Sequence, residues 1–176
     1  WEVKAMIEEV MTSNCYPDNL MKTTTVDLGY YLKIKKKAST QVTKTTEKKY
    51  WMYAPGENAS KWSRCQEQSH ICIGWDGLGD LSEITSLEDC RDALKDLYNN
   101  PDSSFMNDGL AVWEFSHVMQ PGDIVYAKQG QSSISGRGVV KSDYFYDPSQ
   151  ETYRHIRKIE WTHIGHWELE NIVLKT

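Results

Sequence analysis

Apolar and polar positions along this chain change period several times, and each change marks an element. Val3, Met6, Ile7 and Val10 recur at helical spacing, so residues 2–11 are expected to form a short amphipathic helix. Pro17, in the polar segment 15–19, ends it. Residues 30–34 have strand character. Residues 35–49 (KKKASTQVTKTTEKK) carry almost no large apolar side chain, which is linker composition, and they place a domain boundary there. A basic tether of this kind can also skim phosphates, although a solvated linker suffices to explain it.

Beyond the linker, YWMY (50–53) predicts a strand, APGENA (54–59) a turn and residues 60–69 a helix. ICIGW (71–75) reads as a second strand that runs into Gly74-Trp75-Asp76-Gly77. Ser86 is placed to cap a helix ending at Tyr98. Asp89 takes the capping-box position, and Leu87, Cys90, Leu94 and Leu97 share a face. Asn107 is placed to cap another helix over 108–119, with Ala111, Phe115 and Val118 inward and Met119 at the margin. Trp113 falls roughly opposite that face, so it packs elsewhere or serves a surface. Pro121-Gly122-Asp123 is a turn before a strand at 124–128. Another strand covers 133–141, where Gly136 and Gly138 suit a bulge or a tight barrel bend. Residues 153–161 and 167–169 complete the set. Five or six short strands with helices inserted among the early ones predict an α+β fold, a small curved, partly closed β-barrel with helices packed around it.

Composition sharpens this picture at two points. A chain of 176 residues, 39% hydrophobic and 26% charged, suits one soluble globular domain with an extension, or one domain and a fragment of another. Seven Trp and ten Tyr are the unusual feature, because flat apolar faces serve ligands and partners as well as cores. The net charge of −5 argues against a broad electrostatic binder of long nucleic acid, but not against a small site backed by a local basic patch. The four cysteines, Cys15, Cys65, Cys72 and Cys90, form no Cys-x-x-Cys pair. His70 lies near Cys65 and Cys72 in sequence without a second ligand pair at zinc spacing, so reduced, free thiols are expected and no metal. No apolar run approaches a membrane span and no secretory signal is visible. The first residue is Trp1, not Met, which points to a piece of something longer.

The blocks YWMYAPGENASKW, IGWDGLGDL, NDGLAVWEF, PGDIVYAKQG, SGRGVVKSDYFYD and IEWTHIGHWEL, in this order, resemble the N-terminal recognition domain of McrB-type modification-dependent restriction proteins. That domain is EVE-like, related to YTH readers of methyladenine, within the PUA-like superfamily. The resemblance covers about residues 50–175 and leaves 1–49 as an extension and linker. It implies a DNA-binding specificity domain in the cytoplasm of a prokaryote. A motor domain of the AAA+ GTPase type would follow in the full protein, with a McrC-type nuclease subunit as partner. No Walker motif occurs in this chain, so motor and nuclease would lie outside it.

What the resemblance implies chemically is capture of one modified base, N6-methyladenine or a methylated or hydroxymethylated cytosine, flipped out of the duplex. Flipping costs a few kcal/mol. Stacking on an aromatic ring returns about 1–3 kcal/mol per contact, and a buried methyl adds roughly 0.8 kcal/mol. Trp75 is the first candidate wall, since a Trp at the matching place is a cage residue in YTH proteins; a core Trp is the plainer role. Tyr144 and Tyr146, on one face of SDYFYD if extended, are candidates for the second wall or cover the barrel end. There the YTH pattern has Trp. Asn58 carries both donor and acceptor for a base edge, or is a turn residue. Asp76 can accept from an exocyclic amine, or cap its turn. Trp62 and Trp113 are further cage candidates or packing residues.

Lys128, Arg137, Lys141, Arg154, Arg157 and Lys158 form the candidate phosphate patch, or a solvated strand face. On a strand, Arg154 and Lys158 would share a face with Ile156, and Arg157 would take the other. His163 and His166 lack a third ligand, and Gly165 between them suggests a turn. No Ser-His-Asp context and no nuclease-like acidic cluster beyond Asp76 and Asp80 is discernible, so a binding module is expected and not an enzyme. A reader of modified RNA and a protein-interaction domain are the alternatives.

Overall fold

The computed structural model describes residues 48–169. The expected helix at 2–11, the break at 15–19, the strand at 30–34 and nearly all of the linker fall outside the described residues. The chain divides into units Trp1–Lys48 and Lys49–Thr176, and the fold described is that of the second.

Six strands form one sheet: β1 Tyr50–Tyr53, β2 His70–Ile73, β3 Ile124–Gln129, β4 Ser133–Val140, β5 Phe145–Tyr146 and β6 His155–Glu168. Their order is β1-β3-β4-β6-β2, with β5 added to β6. β1 runs parallel to β3 and the other pairings are antiparallel. Three helices accompany the sheet: α1 Trp62–Glu67, α2 Leu87–Leu97 and α3 Met106–Trp113. The fold is therefore α+β, with a curled sheet that makes a half-barrel.

The curl has identifiable causes. Register slips between Ala127 and Lys128 in the β3–β4 pair, and near Gly136 and Gly138 in the β4–β6 pair. Bulges of this kind increase local twist and bend the strand. The two glycines permit a close approach: the Trp62 ring packs over Gly136, and a Cβ on Gly138 would lie 2.8 Å from Ile159 and 3.1 Å from the Glu160 carbonyl. The two strands expected at 153–161 and 167–169 are one strand of 14 residues. Gly165 is no turn; it sits in β6 beneath the Trp167 ring. Arg154 precedes β6, so the expected shared face with Lys158 does not form.

Ser86 caps α2 as expected, its Oγ accepting from the Asp89 N–H at 3.1 Å. The Asp89 carboxylate accepts the Thr85 hydroxyl at 2.7 Å. α3 begins earlier than expected, after Phe105 in a left-handed conformation (φ 40°), so Asn107 lies inside the helix and is not its cap. Between Glu114 and Val118 the helix widens into a π turn. The inward face is one position off the expected one: Val112, Phe115, Ser116 and Met119 face inward while Ala111 is exposed and Val118 only half-buried.

The main core gathers Ile71, Cys72, Phe115, Val125, Val140 and Ile156, among others, between sheet and helices. A second cluster of Leu81, Cys90 and Val112 lies under α2 and α3. Asp123, buried at the start of β3, ties the edge strand in place. Its carboxylate accepts the Lys49 and Gln120 N–H groups at 3.0 Å and the Trp51 indole N–H at 2.9 Å.

Candidate functional site

Residues from β1, from the end of β2 and from α3 enclose an open cavity of about 1150 Å³. Trp51 and Tyr53 come from β1 and Trp75 from the segment after β2, and Tyr98, Phe105, Phe115 and Tyr153 also bring rings to the lining. Asn100, Asn107, Asp108 and Glu114 bring polar atoms to it, and no Lys or Arg lines it among the described residues. Two cations stand close behind the aromatics: Lys49 Nζ lies 5.9 Å from the Trp51 ring and Lys61 Nζ 4.8 Å from the Tyr153 ring.

Trp75 is held by its backbone. It is left-handed (φ 64°, ψ 32°), a conformation that costs a non-glycine residue on the order of 1–2 kcal/mol. His155 anchors its carbonyl, with Nε2 at 3.3 Å. A carbonyl only accepts, so the imidazole proton sits on Nε2, and Nδ1 accepts the Tyr144 hydroxyl at 3.0 Å. Tyr144 Oη in turn accepts the Leu81 N–H at 3.0 Å. Burial lowers the pKa of His155 below its ordinary 6.5 and raises that of Tyr144, which keeps both neutral at pH 7.

Of the residues singled out in the sequence as base-binding, only Trp75 lines this cavity. Tyr144 is a half-buried post between Leu81 and His155, and it lines a separate hollow of about 470 Å³ with Ser116, His117 and Arg157. Tyr146 rests against the His155 ring at 5.4 Å. Asp76 serves its turn, accepting the Tyr153 and Arg154 N–H groups at 2.9 and 2.7 Å with both oxygens. Asn58 is exposed on a 3-10 turn and is not among the lining residues. Trp62 packs edge-on to Trp161 at 4.7 Å, and Trp113 stacks on His117 at 3.9 Å.

The expected phosphate patch disperses. Arg157 is 2% exposed and donates to the carbonyls of Phe115, Ser116 and Ser142 at 2.6, 3.0 and 3.0 Å. Desolvation pulls its pKa down to about 10, still charged at neutral pH. It is a buried staple, out of reach of phosphate. Lys141 pairs with Glu160, Arg137 donates to Thr162 Oγ1 at 2.9 Å, and Arg154 to the Gln150 carbonyl at 2.9 Å. Lys128 is half-buried, and Lys158 is exposed over the Phe145 ring.

Sequence reasoning missed Trp51, Phe105 and Tyr153. Trp51 carried a signal, an aromatic strand that its partner turn Pro121-Gly122-Asp123 orients. Phe105 and Tyr153 stand at left-handed positions (φ 40° and 58°), which no periodicity announces.

The residues that offer metal ligands are equally local. Cys65 on α1 and His70 and Cys72 on β2 are all buried, and one ligand atom from each lies within 4.8 Å of the others. Tyr53 Oη adjoins both sulfurs, 3.3 Å from Cys65 and 3.9 Å from Cys72. The Cys65 thiol hydrogen-bonds toward Cys72, which raises the pKa of the first and lowers that of the second. Cys65, Cys72 and Cys90 are free, as expected; the first two share one cluster, and Cys90 is buried in the second core cluster.

A family model described as a domain of unknown function, DUF8426, matches residues 51–175, from β1 to beyond β6. Among curated proteins no match is found.

Proposed function

The chain belongs to the DUF8426 domain family, and we propose that it is a binding module that holds one modified nucleobase of DNA, flipped from the duplex, in the cavity beside Trp75. The observation that carries this reading is the lining itself: flat aromatic side chains together with amides and carboxylates, and no cation among the described residues. Stacking is sequence-tolerant and worth about 1–3 kcal/mol per base, enough to offset flipping when two rings take part. Asp108 and Glu114 accept hydrogen bonds, so the lining favours a base edge that donates, such as the N6 amine of methyladenine or the N4 amine of a methylated or hydroxymethylated cytosine. Phosphates would be met by Lys49 and Lys61, which stand over the rings of Trp51 and Tyr153. At about 1150 Å³ the cavity exceeds the roughly 300–1,000 Å³ of small-molecule sites, room for a base with its sugar and flanking backbone.

The curled half-barrel agrees in outline with the PUA-like, EVE and YTH type of architecture that the sequence blocks resemble. In that setting the module would direct a motor and a nuclease, both outside this chain, to modified DNA in a prokaryotic cytoplasm. No helix among the described residues is long and apolar enough to cross a membrane.

Fluorescence anisotropy with matched duplexes, plain and carrying each modification, tests the reading. One modified duplex is expected to bind at least about tenfold tighter than its plain counterpart, the equivalent of about 1.4 kcal/mol. Equal affinity for all of them overturns it, and preference for the RNA of the same sequence moves the function to RNA. A protein-docking role has one observation in its favour: Leu97, Tyr98, Met106 and Leu110 are exposed on and beside α2 and α3, and Tyr98 also lines the cavity. Absence of binding to any oligonucleotide, with a stable protein complex in its place, would select that role.

A further inference from the structure

Zinc ligands are legible where the sequence showed no paired motif. We propose that Cys65, His70 and Cys72 form a binding site for one zinc ion at the floor of the aromatic cavity. The strand period of two puts His70 and Cys72 on the same face of β2, and α1 lays Cys65 across from them. The three ligand atoms lie within 4.8 Å of one another. Around a tetrahedral zinc, with Zn–S about 2.3 Å and Zn–N about 2.0 Å, such atoms stand roughly 3.6–3.8 Å apart. A contraction of about 1 Å closes the site, within reach of side-chain rotation.

A second observation is independent of that proximity. His70 is 2% exposed, and its Nε2 is buried with no hydrogen-bond partner among the described residues. A buried imidazole nitrogen left unmatched costs about 1–3 kcal/mol, and such groups in native folds call for an explanation. A metal bound at that nitrogen supplies one.

The charge balance suits the burial. Each sulfur binds as thiolate, any thiol proton leaving to solvent, so two thiolates and a neutral imidazole bring a divalent cation to net zero. Soft sulfur with imidazole nitrogen favours zinc over calcium or magnesium, which take oxygen. Three protein ligands leave a fourth position. Tyr53 Oη lies 3.3 Å from the Cys65 sulfur and 3.9 Å from that of Cys72, and Tyr53 and Cys72 both line the cavity, so the fourth position adjoins the space where a ligand would sit. The metal would also pin α1 to β2 and so fix the cavity floor. This inference does not rest on the nucleobase reading, and either stands if the other falls.

The test uses the full chain, purified under reducing conditions without chelator. Atomic emission is expected to find about one zinc per chain, and cobalt(II) in its place should give thiolate charge-transfer absorption of a tetrahedral site. Cys72→Ser and His70→Gln should each lower bound zinc to below about a tenth per chain, while His166→Asn, at an exposed pair with Glu168, leaves it unchanged. Wild-type protein keeps the idea falsifiable if those variants fail to fold. Zinc added to chelator-stripped protein should raise its melting midpoint and shield two thiols from alkylation, and magnesium should do neither. The proposal is overturned if purified protein lacks zinc and added zinc gives no more shift or shielding than magnesium. It is also overturned if folded Cys72→Ser binds as much zinc as wild type, or if the two thiols prove oxidised to a disulfide under reducing conditions.

Discussion

Arg157 shows how far the local environment decides what a charged residue does. Counted in the sequence it belongs to the densest basic cluster of residues 50–176; in the fold it binds three main-chain carbonyls, two of them in the π turn. Arg157→Met leaves those carbonyls without a donor. It should lower unfolding free energy by about 3–5 kcal/mol in urea titration, whereas Lys158→Ala, on the exposed side, should change it by less than about 0.5 kcal/mol. His155 adds a pH dependence. Burial lowers its pKa in the fold, so the unfolded chain takes up the proton first as pH falls. The stability it contributes is fully present above its ordinary value of 6.5 and is lost as pH drops through 6.5 toward the lower folded value. His117 is depressed in the same direction, also by burial, so the share due to His155 is read in a His117→Asn background. Urea midpoints from about pH 7.5 to pH 5 should fall in that background, and His155→Gln should flatten the fall. A curve unchanged by His155→Gln would remove His155 from the set of groups that hold Trp75.

Strand β4 shows which parts of the fold were legible and which were not. Its extent, and the bend at Gly136 and Gly138, followed from alternation interrupted by glycine, because a bulge needs space that only a missing Cβ leaves. Gly138→Ala should therefore cost about 1–3 kcal/mol, since its Cβ would press on Ile159, Trp161 and the Glu160 carbonyl, a main-chain atom that cannot swing aside. Gly165→Ala meets only the outer end of the half-buried Trp167 ring and should cost less; comparison of the two melting curves decides it. By contrast the π turn at Glu114–Val118 was hidden, because a helical wheel assumes a constant 3.6-residue period and this turn breaks it. Trp113, expected opposite the inward face and so to pack elsewhere or serve a surface, packs on the second core cluster. The ligand cluster was hidden for another reason: Cys65 and Cys72 are brought together by a helix folding onto a strand, a tertiary event with no spacing rule. Trp75 was singled out mainly through the family resemblance; its companions Trp51 and Phe105 depend on contacts far away in sequence, such as the indole bond to Asp123.

The charge of the molecule sets how it would meet a polyanion. Counterion release makes binding to duplex DNA fall with salt at a slope of about −0.9 per phosphate neutralised. A net charge of −5 repels the backbone, and the cavity lining is acidic. Of the six cations first considered, Arg157 is buried and Lys141 is paired with Glu160. Lys49 and Lys61 stand by the cavity aromatics, and Arg154 directly follows the cavity residue Tyr153, which leaves roughly two to four phosphate contacts. The double-logarithmic plot of affinity against salt should then have a slope of about −2 to −4, for plain and modified duplexes alike. Modification preference, carried by stacking inside the cavity, should survive the highest salt at which binding is measurable. Trp75→Ala should abolish that preference and keep the slope, because in the proposed mode the ring would stack on the base and touch no phosphate. Lys61→Ala should do the reverse, lowering the slope by about one unit while the ratio of modified to plain affinity holds. A slope steeper than about −5 would mean that an extended basic face, not the cavity, governs association, and a preference that melts away with salt would mean that the base is not held by aromatic contact.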